Sequence, residues 1–150
     1  MALRWEFKTF DALTAAEVYA FLKLRSEVFV VEQNCVFLDM DDKDQMCHHL
    51  LGYKGNLLAA YTRIVPMGVS YPDYPSIGRV ITSPQARGEG LGKILMEESI
   101  QRLFSLYGHV PIKIGAQLYL KKFYESLGFV QCGDVYDEDG IPHLPMLRAV

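Results

Sequence analysis

The chain has 150 residues, 15 Lys and Arg against 18 Asp and Glu, and a hydrophobic fraction of 50%. That is the length of one ordinary domain, long enough to bury a core without disulfides or metal, and its balance excludes a disordered, collagenous or low-complexity polymer. The net charge of −3, with no basic stripe, leaves nucleic acid a poor partner.

Leu3, Trp5 and Phe7 alternate with Arg4, Glu6 and Lys8, the period of a half-buried strand. Thr14-Ala15-Ala16-Glu17 has capping-box form, and Val18, Phe21, Leu22, Arg25 and Phe29 continue at helical spacing, which predicts a helix to about Phe29. Residues 30–44 are of mixed polarity and end in clustered acids, so a loop with a short helix is expected. Residues 49–53 and 57–65 read as strands around the turn Lys54-Gly55-Asn56. Residues 67–76, rich in Pro, Gly and Tyr, read as an irregular crossover into a strand over 77–82. A helix over about 90–107 places Leu95, Met96, Ile100, Leu103, Phe104 and Tyr107 on one half of its wheel, which suits a helix lying on a sheet. A short strand over 111–115 and a helix over 118–127, stopped by Gly128, come next. Two closing strands, 129–136 and 143–149, flank an Asp139-Gly140 turn. The order β-α-β-β-β-α-β-α-β-β predicts a single α/β domain (an α+β mixed sheet) with helices on its faces.

The odd set Cys35, Cys47 and Cys132 suits free thiols in a reducing compartment. The N-terminus has no apolar run of signal-peptide type. The longest mainly apolar stretches, 28–31 and 57–61, fall far short of the ~20 residues of a membrane span. A soluble, cytoplasmic protein with no membrane partner is expected. Cys47-His48-His49 is contiguous and lacks zinc-ligand spacing. Residues 39–44 do not make an EF-hand loop, since the position that needs Gly is Asp44. No metal is expected; the acids of 39–44 either form a solvated loop or attract a cationic amine.

Residues 77–92 carry the strongest signal: strand, glycine-dense loop, helix start. The first N–H groups of a helix lack internal partners and carry the positive end of its dipole, and glycines let a phosphate approach that backbone. A tight turn with no ligand would account for one glycine pair equally well. A Walker A loop fails, with Arg87 and Ile94 where Gly and Ser or Thr are needed. A dinucleotide fingerprint fails at Lys93 and finds no acid near residues 107–110. The form R-x-x-G-x-G is met by Arg87, Gly90 and Gly92.

With that loop the sequence resembles the GNAT superfamily of acyl-CoA N-acyltransferases. Residues 117–129 are similar to the family's late helix, with its F-Y-x-x-x-G-F ending at Phe123, Tyr124, Gly128 and Phe129. The arm over 24–35 and the tail over 136–143 further resemble the ElaA-type subgroup, and the likeness covers about 7–150. It implies a GNAT-like domain using acetyl-CoA as co-substrate. Backbone N–H groups of Arg87, Gly88, Glu89, Gly90, Leu91, Gly92 and Lys93 would cradle the pyrophosphate. Val80, Ile81 and Thr82 would pair by main chain with the pantetheine arm. Gln117 and Leu120 replace the family's usual Asn and Ala; Gln117 is the candidate substitute for the pantetheine contact.

The implied chemistry is acetyl transfer to a primary amine, with an N–H near Ile81 stabilising the oxyanion. Tyr124 falls where many members place a general acid, and it borders the buried stripe Leu120, Phe123 and Leu127. Candidate bases are Glu32, His48, His49, Glu138 and His143. The Gly140-Ile141-Pro142 turn could aim His143 at the acceptor, and His48 and His49 point to opposite faces of a strand. The arm holding Glu32 and Gln33 would cover the acceptor, a small-molecule or peptide amine. A catalytically silent CoA-binding or interaction module on the same fold is the alternative, followed by acyl-homoserine lactone synthesis. An exposed edge strand in such folds often pairs, which makes a homodimer the candidate assembly.

Overall fold

The computed structural model describes residues 3–150. Strands β1 (Arg4–Thr9), β2 (His48–Lys54), β3 (Leu57–Val65) and β4 (Ser76–Thr82) form one sheet in that order. Strands β5 (Ile112–Gln117), β8 (Ile141–Arg148) and β6 (Phe129–Gln131) form a second, with β7 (Tyr136–Glu138) also on β8. The expected single mixed sheet thus resolves into two halves, and every hydrogen-bonded strand pair in them is antiparallel. The halves meet where Lys113 N–H donates to the Pro75 carbonyl at 3.2 Å. Beyond that bond β4 and β5 form no ladder among the described residues, and a cleft opens between them.

Helix α1 (Ala15–Arg25) starts at the expected capping box, with Thr14 Oγ1 accepting from Glu17 N–H at 3.1 Å and Glu17 accepting from Thr14 N–H at 2.8 Å. Past Arg25 the helix widens into π-turns over Ser26–Glu32 instead of ending near Phe29. The wide turns are closed by bonds such as Cys35 N–H to the Val30 carbonyl at 3.0 Å. They keep Val28 buried and bring Phe29, Glu32 and Gln33 to the cleft; such widenings are frequent at functional sites.

Helix α2 (Leu91–Tyr107) lays Met96, Ile100 and Leu103 on Ile64, Ile77, Ile112 and Ile114, so it bridges both sheets on one face. Helix α1 covers the other face of the first sheet with Phe21 and Leu24 against Leu51, Tyr61 and Ile81. Burying each such side chain contributes roughly 1.5–3 kcal/mol. The late helix is shorter than expected: α3 (Lys121–Glu125) follows a 3₁₀ turn, and Gly128 at φ 93° ends it. The expected strand over 129–136 divides into β6 and β7. At the break Pro145 accepts from Cys132 N–H at 2.9 Å but has no N–H to return, and the ladder ends there.

Strand β4 carries a bulge beside the cleft. Tyr61 pairs with Ile81 and Arg63 with Gly78, so Arg79 and Val80 together face one residue of β3. Arg79 sits at φ 50°, a left-handed conformation that a non-glycine residue adopts only when held there.

Candidate active site

The cleft has a volume of about 740 Å³. It brings together Val80, Ile81 and Thr82 of β4, Gln117 of β5, Tyr124 of α3, His143 of β8, and Glu32, Arg87 and Gly92. Gly88, Glu89, Gly90, Leu91 and Lys93 lie beside it rather than in its wall. The Leu91 side chain packs into the core with Leu50 and Leu95, and Glu89 reaches Lys54 at 2.6 Å. Gly88, Glu89, Gly90 and Leu91 can serve an anion only through their backbone.

That backbone is suited to one. Gly88 and Gly90 have φ of 101° and 68°, and nothing lies within 4 Å of where a Cβ would stand, so dihedral angle rather than crowding selects glycine there. Gly90 caps the 17-residue helix α2, and its carbonyl accepts from Ile94 N–H. The N–H groups of Leu91, Gly92 and Lys93 therefore stand at a positive helix terminus without intrahelical partners. The edge of β4 that faces the cleft has main-chain groups free to pair an extended arm. Loop and edge together fit a diphosphate followed by pantetheine.

Register builds the opposite wall. Gln117 pairs with His143 across β5–β8, and His143 pairs with Tyr136 across β8–β7, so the three share one row on one face. Their neighbours Ile114, Ala116, Leu144 and Met146 point to the other face, into the core that holds Tyr124. Tyr124 and His143 thus reach the cleft from opposite faces of the second sheet. Tyr124 is 6% exposed, packs against Phe123 and Phe129, and has its phenol pushed well above the ordinary value by burial. Its hydroxyl has no protein hydrogen-bond partner among the described residues and opens onto the cleft.

The His143 ring Nδ1 lies 2.7 Å from the Ile141 carbonyl. A carbonyl only accepts, so Nδ1 carries the proton. The other nitrogen, Nε2, lies 3.3 Å from Glu138 Oε2, ready to share a proton with that carboxylate. Three long-range contacts fix the arm over this wall. Arg87 holds Glu32 through two bonds of 2.8 Å, Gln33 and Gln117 exchange amide bonds at 3.3 Å, and the Cys35 thiol donates to the Asp139 carbonyl at 3.1 Å.

Several expectations change. The Arg87 guanidinium holds the Glu32 carboxyl below its ordinary value, the opposite of what a base for an ammonium needs. Neither His48 nor His49 lines the cleft. His48 stacks on Phe7, and His49 is fully buried between the Tyr61 hydroxyl at 2.6 Å and the Asp44 carbonyl at 2.8 Å, kept neutral by desolvation. The acids of 39–44 are not an open attractor for amines. Asp39 binds Arg25 Nε at 2.7 Å and Arg79 Nε at 2.8 Å, Asp44 binds Arg25 Nη1 at 2.7 Å and Arg63 Nη1 at 3.0 Å, and Asp41 binds Arg63. This three-by-three network, with Arg25 at 0% exposure, clamps the loop to the β4 bulge and explains the Arg79 backbone. Sequence reasoning missed it because the arginines lie in three different elements, with no local pattern to mark them. It missed Tyr71 and Tyr136 for the same reason: their hydroxyls converge over Gly115, where a Cβ would stand 3.4 and 2.5 Å from them.

The family model described as an acetyltransferase (GNAT) domain matches residues 26–149. Protein ElaA of Escherichia coli (strain K12) is 40% identical over 150 residues, spanning 99% of this chain and 97% of that one. The crystal structure of E. coli ElaA superposes with a TM-score of 0.90 at 39% identity, covering 97% of this chain and 99% of that one. An acyl-CoA N-acyltransferase from Pseudomonas aeruginosa superposes with a TM-score of 0.92 at 41% identity, covering 99% of this chain and all of the other. The AHL synthase LasI, at 11% identity and a TM-score of 0.79, shares the fold alone.

Proposed function

The chain belongs to the GNAT acetyltransferase family, and on that premise we propose that it moves an acetyl group from acetyl-CoA to a primary amine by direct attack on the thioester. The observation that carries this is the passage between β4 and β5, with an anion-suited helix terminus at one end and titratable groups on both faces. The backbone amides of Leu91, Gly92 and Lys93 would hold the diphosphate through their N–H groups, and Arg87 would add its guanidinium. The β4 edge at Val80, Ile81 and Thr82 would align the pantetheine, assisted by the Gln117 amide, and present an N–H to the carbonyl oxygen.

The neutral nitrogen forms the new C–N bond as the C–S bond breaks. The proton lost by nitrogen passes to the His143–Glu138 pair, whose Nε2–Oε2 gap of 3.3 Å can retain it. The thiolate takes a proton on the other face, where burial keeps the Tyr124 phenol in its donor form. A phenolate would be costly in those apolar surroundings, so once CoA has left as the thiol Tyr124 takes a proton from solvent entering the cleft, while the His143–Glu138 pair releases the amine's proton to solvent.

Purified protein is incubated with acetyl-CoA and primary amines while free thiol is measured. Amine-dependent thiol release is expected; a rise in Tm with CoA but no release would identify a silent binding module. Tyr124→Phe should lower kcat by about 10²–10⁴. An unchanged kcat across the pH range would remove the acid role.

A further inference from the structure

The cleft is lined by equal numbers of cationic and anionic side chains: Lys43, Arg63, Arg79 and Arg87 against Glu32, Asp41, Glu138 and Asp139. Most are already matched, Arg87 to Glu32 and Arg63 and Arg79 to Asp41. What remains is polarised. At one end Lys43 has no carboxylate in ion-pair range among the described residues, and its Nζ lies 3.4 Å from Ser70 Oγ, which also lines the cleft. The same wall holds Arg63, 4% exposed, whose Nε is a buried polar atom left without a partner. At the other end stand Glu138, beside His143, and the hairpin residue Asp139.

A continuous polar band joins the two ends. Tyr71 follows Ser70 in the chain, its hydroxyl converges with that of Tyr136 over Gly115, and the Tyr136 ring lies 5.8 Å from that of His143. A cleft for a polyamine would instead carry a surplus of carboxylates along its length, and the acids that could have supplied one are bound to arginines.

We propose that the acceptor is an amino carboxylate, a small molecule whose anionic group is received by Lys43 and Ser70 while its amine is presented to His143 and Glu138. This rests on the acetyl-transfer function above. A diamine would set a second positive charge against Lys43, and a plain alkylamine would leave Lys43 without a counter-charge.

The test is a series of ω-amino acids from glycine through γ-aminobutyrate to ε-aminocaproate, each paired with the alkylamine and the diamine of the same chain length. Thiol release from acetyl-CoA gives kcat/KM for each, and Tm of the CoA-bound protein is read with the same compounds. At least one amino acid should exceed its matched alkylamine by about tenfold, as expected of one charge-assisted bond, with the diamine weakest. Lys43→Met should bring that ratio close to one, and Lys43→Arg should keep most of it. Alkylamines or diamines that equal or surpass the amino acids would overturn the proposal, as would a Lys43→Met variant that lowers both members of each pair equally. If CoA binds and no compound releases thiol, acetyl transfer fails, and the Tm series still decides the subsite. Amino acids that stabilise the wild-type complex but not Lys43→Met support it; equal shifts in both proteins, or none in either, refute it.

Discussion

The end of the cleft proposed to receive CoA offers mainly backbone, whereas the proposed acceptor end is made of side chains drawn together from distant parts of the chain. At the first, the left-handed angles of Gly88 and Gly90 and the start of α2 form one contiguous segment. At the second, the defining contacts join residues 84 and 104 positions apart, Gln33 to Gln117 and Cys35 to Asp139. A site built of backbone tolerates change in its side chains, so relatives can share the first end. A site built of long-range pairs changes with any one partner, so the second end is where acceptor choice can diverge.

The contrast can be broken most forcefully at the buried charges. Arg25→Met leaves Asp39 and Asp44 without the cation that reaches both at 2.7 Å in a fully buried setting. Removing one partner of such a network costs about 3–5 kcal/mol, to be read as a shift in urea midpoint. CoA affinity measured while the variant is still folded should change little, because Arg25 itself is fully buried and does not line the cleft. A stability loss below about 1 kcal/mol would mean that Arg63 and Arg79 satisfy the acids alone.

A smaller effect tests the acceptor wall by itself. In Gly115→Ala the new methyl would stand 2.5 Å from the Tyr136 hydroxyl, and the phenol must move. Such overpacking costs roughly 1–3 kcal/mol of folding stability, and the displaced phenol should in addition raise KM for the amine while leaving the Kd for CoA unchanged. Adding Tyr136→Phe removes the colliding oxygen and should recover much of the loss. A double variant no better than Gly115→Ala would show that the phenol does not border the acceptor.

The same contrast explains what the sequence disclosed. The capping box at Thr14, the α2 stripe and the Arg87-Gly90-Gly92 spacing are local, and local geometry follows from residue order. The row Gln117–His143–Tyr136 depends on the register of two strand pairs, which one shifted residue would turn to the opposite face. Residues 39–44 illustrate the limit: their acids were visible, but the arginines that neutralise them come from α1, β3 and β4. The π-turns over Ser26–Glu32 left no trace either, since Val, Phe and Glu at those positions suit an ordinary helix as well.

The smallest expected effect falls at the contact between the two ends. Glu32 and Arg87 are each 41% exposed, so Glu32→Gln should change stability by no more than about 0.5 kcal/mol. Its consequence is for the CoA end. In the free protein the guanidinium is shared with Glu32; with glutamine in its place, Arg87 keeps its whole charge for a phosphate. CoA should then bind a few-fold more tightly at low salt, about 0.3–1 kcal/mol, and the gain should vanish near 1 M salt, where screening shortens to about 3 Å. Isothermal titration at two ionic strengths decides the matter. If Glu32 were the base for the amine, the variant would leave CoA affinity unchanged and lower kcat by about 10² or more. The two outcomes share no readout, so a single variant tells whether this carboxylate serves the phosphates' cation or the reacting nitrogen.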